Sequence, residues 1–188
     1  MKLIYAFLLA LVVSDASFGQ KYIPQIGVGS VLNYGVVATS TDTHIPLTLK
    51  IVSLNDPMKL NWNLPGLGTG NFLIPAKALE TGTKMRLEEP NPNNNTVFKD
   101  DETIMFVSKA SLADLNTTQV FILNKIKFTT KPLDMPYQIN GKDAEVLHAI
   151  SANGKIEIWV LNNPAFPLIC KLTGNPAGID FDLKTLAE

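Results

Sequence analysis

Met58-Lys-Leu-Asn-Trp-Asn-Leu64 alternates apolar and polar side chains without a break. Leu60, Trp62 and Leu64 take one side, and Lys59, Asn61 and Asn63 take the other. Side chains on a strand point to opposite faces in turn, so this pattern predicts a β-strand with one buried and one wet face. Immediately after it, Pro65-Gly-Leu-Gly-Thr-Gly70 breaks the alternation, and Asn71 to residue 74 resumes it. Upstream, residues 31–38 and 45–54 are two β-branched apolar runs separated by the polar Thr39-Ser-Thr-Asp-Thr-His44. That spacing predicts a hairpin.

The same grammar continues downstream. Residues 103–107, 120–123 with 126–128, 137–139, 144–151, 155–161, 166–172 and 179–183 read as strands. Asn140-Gly141 and Asn153-Gly154 are turn signals, because asparagine and glycine tolerate positive φ. Two short helices are predicted. One covers residues 76–81, after Pro75 and closed by Gly82. The other covers 108–116, where Ser111 and Asp114 resemble a capping box and Leu112 and Leu115 share a face. Residues 88–101 (EEPNPNNNTVFKDD) read as a long surface loop. The expected fold is mainly β: one antiparallel curved sheet or open half-barrel of about ten strands with two short helices.

The amino terminus reads as an address. Lys2 precedes an apolar run over residues 3–13, and Ser17 and Gly19 are small residues before a cut ahead of Gln20. This is the pattern of a secretory signal peptide over residues 1–19. The apolar run is shorter than the roughly 20 residues of a membrane span. Residues 20–188 are then a single all-β domain, exported to the periplasm or beyond the cell, with no transmembrane segment after signal removal.

Composition excludes several classes of function. Of 188 residues, 46% are hydrophobic and 18% charged, too apolar for a disordered chain. Lys+Arg 16 against Asp+Glu 17 leaves no basic footprint for nucleic acid. The single cysteine, Cys170, lies in the apolar run Phe166-Pro-Leu-Ile-Cys-Lys-Leu172 and reads as buried.

Chemistry-bearing patterns are sparse. His44 falls in a hairpin loop and His148 in a strand, too few for a histidine zinc site. Gly27-Val-Gly-Ser30 precedes a strand rather than a helix, so it lacks the donor array of a phosphate loop. Glu88-Glu89 and Asp100-Asp101-Glu102 lack calcium-loop spacing and read as solvated charge. Asp180 and Asp182 share one face of an amphipathic strand. No catalytic residue, metal or cofactor is assigned.

Aromatic residues are the remaining candidates. Tyr34, Trp62, Phe72 and Trp159, with Tyr137 beside them, are expected either to line a ligand groove or to fill the core. The position of Trp159 opposes that of Ile156, Ile158 and Val160, which puts it on the other face of the sheet from them.

Trp159-Val-Leu-Asn-Asn-Pro-Ala-Phe-Pro-Leu-Ile169, with Asp101-Glu-Thr-Ile-Met-Phe-Val-Ser-Lys109 before a short helix, resembles an exported Bacteroidota family of the domain-of-unknown-function type. The resemblance spans roughly residues 28–186. It implies an architecture similar to periplasmic lipoprotein carriers, an open half-barrel with helices against its concave side. It brings no catalytic motif. The lipid-attachment cysteine of many envelope proteins has no counterpart near Gln20.

The expected function is therefore non-enzymatic. One expectation is a protein that binds a hydrophobic or amphipathic small molecule or lipid in the concavity of the sheet. The alternative is a structural or interaction module of the cell envelope or secretion apparatus, with an envelope protein as partner.

Overall fold

The computed structural model describes residues 21–87 and 90–188. The signal peptide expected over residues 1–19 and the Glu88-Glu89 pair lie outside the described residues. Within them the chain forms β1 (Val31–Ala38), β2 (Thr43–Ser53), β3 (Met58–Leu64), β4 (Gly68–Ile74), α1 (Ala76–Thr81), β5 (Lys84–Met85), β6 (Asn95–Val97), β7 (Glu102–Thr103) and α2 (Lys109–Thr117). It continues through β8 (Val120–Leu123), β9 (Ile126–Lys131), β10 (Gln138–Ile139), β11 (Lys142–Asp143), β12 (Val146–Ser151), β13 (Glu157–Leu161), β14 (Ile169–Thr173) and β15 (Ile179–Ala187).

Eleven strands make one open sheet in the order β6-β4-β3-β2-β1-β15-β14-β13-β12-β9-β8. Neighbours pair antiparallel except at one edge, where β6 runs parallel to β4. The sheet is therefore mixed rather than wholly antiparallel. A parallel neighbour needs a crossover, and the chain supplies one in α1 and the segment after it. β5 and β7 form a second, separate parallel pair.

The alternation of β3 is realised as read. Met58, Leu60 and Trp62 are buried, and Asn63 is exposed. Facing positions on β1, β2, β4 and β15 supply Leu32, Tyr34, Leu49, Ile51, Phe72, Phe181 and Leu183 to the same buried cluster. Ala78 of α1 and Leu112 and Leu115 of α2 belong to it too. Cys170 lies buried in β14.

Several boundaries differ from the sequence reading. β4 starts at Gly68, inside the glycine-rich break, because Gly66 and Gly68 take positive φ and complete the turn early. The cap of α2 is Ser108, whose hydroxyl accepts the Ser111 N–H, so Ser111 is not the cap. Of the strand expected over 103–107 only Thr103 lies in one, the two-residue β7, although Phe106 bridges Leu168. At the 153–154 turn only Gly154 has positive φ, whereas Asn140 and Gly141 both do.

One seam in the sheet is only partly laddered. β14 and β15 pair through Lys171 with Asp182 and Leu172 with Phe181. Beyond that point two tyrosines reach across. Tyr34 donates to the Ile169 carbonyl at 2.9 Å, and the Tyr137 hydroxyl lies 2.7 Å from Asp182 Oδ1. Asn140 then pairs with both backbone groups of Leu186, continuing the edge that β14 leaves.

Candidate functional site

Along β1 the inward side chains change character. Leu32 and Tyr34 are buried, but Val36 and Ala38 are only half-buried. On β2, Leu47 is buried and Ile45 half-buried. The core thus runs out toward the β1–β2 turn and opens there as a pocket of about 460 Å³.

Four parts of the chain close it. Val36, Ala38, Ile45, Leu47, Phe72 and Ile179 come from the sheet. Leu64 and Pro65-Gly-Leu67 come from the β3–β4 hairpin, and Leu87 and Pro90 from the segment after β5. Ile104 and Met105 form the remaining wall. That wall is fixed by backbone bonds: Ile169 N–H donates to Met105 at 2.8 Å and Val107 N–H to Pro167 at 3.0 Å. Met105 takes φ 56°, a conformation that is uncommon for a side chain with Cβ and that costs energy. Every described lining residue is apolar, so among the described residues none offers the pocket an ionisable side chain.

The aromatic candidates separate. Phe72 lines the pocket, stacked near Trp62 at 6.1 Å and edge-on to Phe98 at 5.5 Å. Trp62 lies wholly inside the core, and its Nε1 has no hydrogen-bond partner among the described residues. Tyr34 is equally buried, edge-on to Phe181 at 5.7 Å. Burial holds its hydroxyl far above the ordinary tyrosine range, with Cys170 and Asp182 adding to the effect.

Trp159 stands on the opposite face, half-buried. Its cross-strand neighbours are His148 on β12 and Lys171 on β14. The imidazole stacks on the indole at 4.2 Å, and the Lys171 ammonium lies 4.8 Å from the ring centre. Neighbours from both flanking strands therefore occupy the indole that the sequence offered to a ligand.

The sequence did not reveal the partner of His148. Nε2 lies 2.6 Å from Glu157 Oε2, and Nδ1 lies 3.4 Å from the Pro132 carbonyl. A cross-strand carboxylate two residues along from the paired position is invisible without the pairing. Both ring nitrogens lie within reach of an oxygen atom, and among the described residues no hydroxyl or thiol is hydrogen-bonded to the imidazole. His44 is exposed beside Asp42. Among the described residues no three His, Cys, Asp or Glu side chains converge to hold a metal ion. Among them, too, no helix is long and apolar enough to cross a membrane.

None of the family models, curated proteins or solved structures compared with the chain matches it.

Proposed function

We propose that the chain is an exported, non-enzymatic binding protein that holds a hydrophobic or amphipathic ligand in the concavity of a curved, half-barrel-like sheet. The supporting observation is the pocket of about 460 Å³ with an entirely apolar described lining. Its size falls within the roughly 300–1,000 Å³ range of small-molecule sites. A described lining without ion-pairing side chains favours a ligand whose buried part is uncharged and whose polar group, where it has one, remains in water.

The test is displacement of a polarity-sensitive naphthalene dye, read by fluorescence, in the wild-type protein and in Ala38→Phe. Ala38 is half-buried on the pocket wall, so the added ring fills space rather than displacing core. The expected result is saturable binding that weakens at least tenfold in Ala38→Phe. Equal binding by both proteins would place the dye elsewhere and remove this reading.

A second reading, an interaction module of the envelope or secretion apparatus, is favoured by the β8 edge. Val120-Phe-Ile-Leu123 carries neither proline nor charge, and Ile122 is exposed. Such an unguarded edge can accept another strand. Sedimentation and crosslinking of Ile122→Lys against wild type test it, with loss of an assembled species expected.

A further inference from the structure

We propose that the pocket beside β1 and β2 is one half of an elongated site, and that Leu87 divides it from a second cavity and so sets the length of ligand accepted. This rests on the binding reading above.

The second cavity, about 240 Å³, lies against Leu123, Phe128, Ile156 and Leu172 on the other half of the sheet. Leu87 lines both cavities. A second boundary gives the same adjacency independently. Ile179 lines the first cavity and Ala177 the second, two residues apart where the chain turns from β14 into β15. The strand order β1-β15-β14-β13 sets the two linings side by side across that turn. The side chain standing between the two spaces is half-buried, on a segment outside the sheet.

The second cavity accepts the same chemistry as the first. Its two amides are already engaged. Asn124 bonds both backbone groups of Met85 at 2.8 and 3.1 Å. Asn175 accepts the Ala177 N–H at 3.0 Å and donates to the Ile179 carbonyl. Two largely apolar spaces on either side of one side chain, Leu87, fit a linear hydrocarbon chain better than a compact ring system. Burial of such a chain is worth a constant amount per methylene until the wall is reached.

Straight-chain 1-alkanols of increasing length are the probe, titrated against the purified protein by calorimetry. In wild type, affinity rises with each methylene until the chain meets Leu87, then levels. In Leu87→Ala the rise continues past that length by about fourfold per methylene, the ~0.8 kcal/mol of a buried CH₂. Ala177 is exposed at the second cavity, so adding Ala177→Phe fills that space without disturbing the core. The double variant returns to the wild-type limit, which separates a removed partition from general loosening. An unmoved limit in Leu87→Ala, with wild-type binding intact, overturns the partition and leaves the pocket reading standing. Failure of wild type to bind any alkanol overturns both.

Discussion

The imidazole of His148 lies flat on the indole of Trp159, with ring centroids 4.2 Å apart and planes within 9°. The two residues are direct cross-strand partners on β12 and β13. Glu157, two residues before Trp159 and on the same face, accepts from His148 at 2.6 Å and pairs with Lys131 at 3.5 Å. A polar cluster with a buried imidazole and a partly exposed carboxylate and ammonium therefore ties together three strands, β9, β12 and β13. Its role is to hold the sheet.

The clamp gives a pH dependence. Burial alone would raise the Glu157 carboxyl, but the hydrogen bond from His148 and the charge of Lys131 outweigh it and hold the group below its usual 4.5. A depressed carboxyl stabilises the fold above its unfolded value, and that contribution is lost as pH falls through the folded one. Glu157→Gln should cost roughly 1–2 kcal/mol near pH 7 and flatten the loss of stability below about pH 4.5. Urea denaturation across pH 3–7 checks both. An acid limb as steep as wild type contradicts the clamp.

Gly70 faces Trp62 across β3 and β4, and a Cβ there would lie 2.7 Å from the indole. The indole is wholly enclosed, so it has no free space to withdraw into. Gly70→Ala should cost about 1–3 kcal/mol of overpacking. Trp62→Phe removes both the colliding ring and the unpartnered Nε1. In that background Gly70→Ala should cost much less. A double-mutant cycle by chemical denaturation reads the coupling, and additive costs would count against the contact.

Tyr137 holds the open part of the β14–β15 seam. Its hydroxyl is 2.7 Å from Asp182 Oδ1 and 3.1 Å from the Cys170 carbonyl. One hydroxyl has one proton, and the carboxylate is the nearer and stronger acceptor. Burial, the nearby Cys170 and the Asp182 bond all keep the phenol protonated. Tyr137→Phe should lose about 1–3 kcal/mol, and amide exchange should accelerate in β14 and β15 before it does in β3.

Cys170 should be chemically silent in the folded protein. Burial pushes its thiol well above the usual range, and the charge of Asp182 adds to that. An aromatic disulfide reagent should label no thiol under native conditions and one per chain after unfolding, since Cys170 is the only cysteine. Rapid native labelling would contradict its placement.

The strands were legible where one face is dry and the other wet. β3 and the alternation of β13 are of that kind, because burial imposes a period of two on the sequence. The parallel pairing of β6 was not legible. Asn95–Val97 sits in a polar, proline-rich stretch, and nothing in three residues specifies a partner on β4. The α2 cap was misread because Ser108 and Ser111 both carry a hydroxyl, and only the backbone angle at Ser108 decides which one caps.

The candidate site divides in the same way. Phe72 reaches the pocket, but Tyr34 and Trp62 do not, because aromatic strand residues carry the same pattern in a core and in a lining. Leu87 had no signal, and Ile104 and Met105 were read as part of a strand over 103–107, with nothing to show that they face the pocket. Trp159 was correctly placed on the other face by its position in β13, yet its cross-strand neighbours His148 and Lys171 cover it.

The most direct test of the binding account is native mass spectrometry of the protein purified from an exported fraction, before and after extraction with organic solvent. The account expects a discrete extra mass that leaves with the solvent and returns when a hydrophobic ligand is added to wild type, but not to Ala38→Phe. An unadorned chain mass throughout, with no uptake of added hydrophobe by wild type, would contradict it.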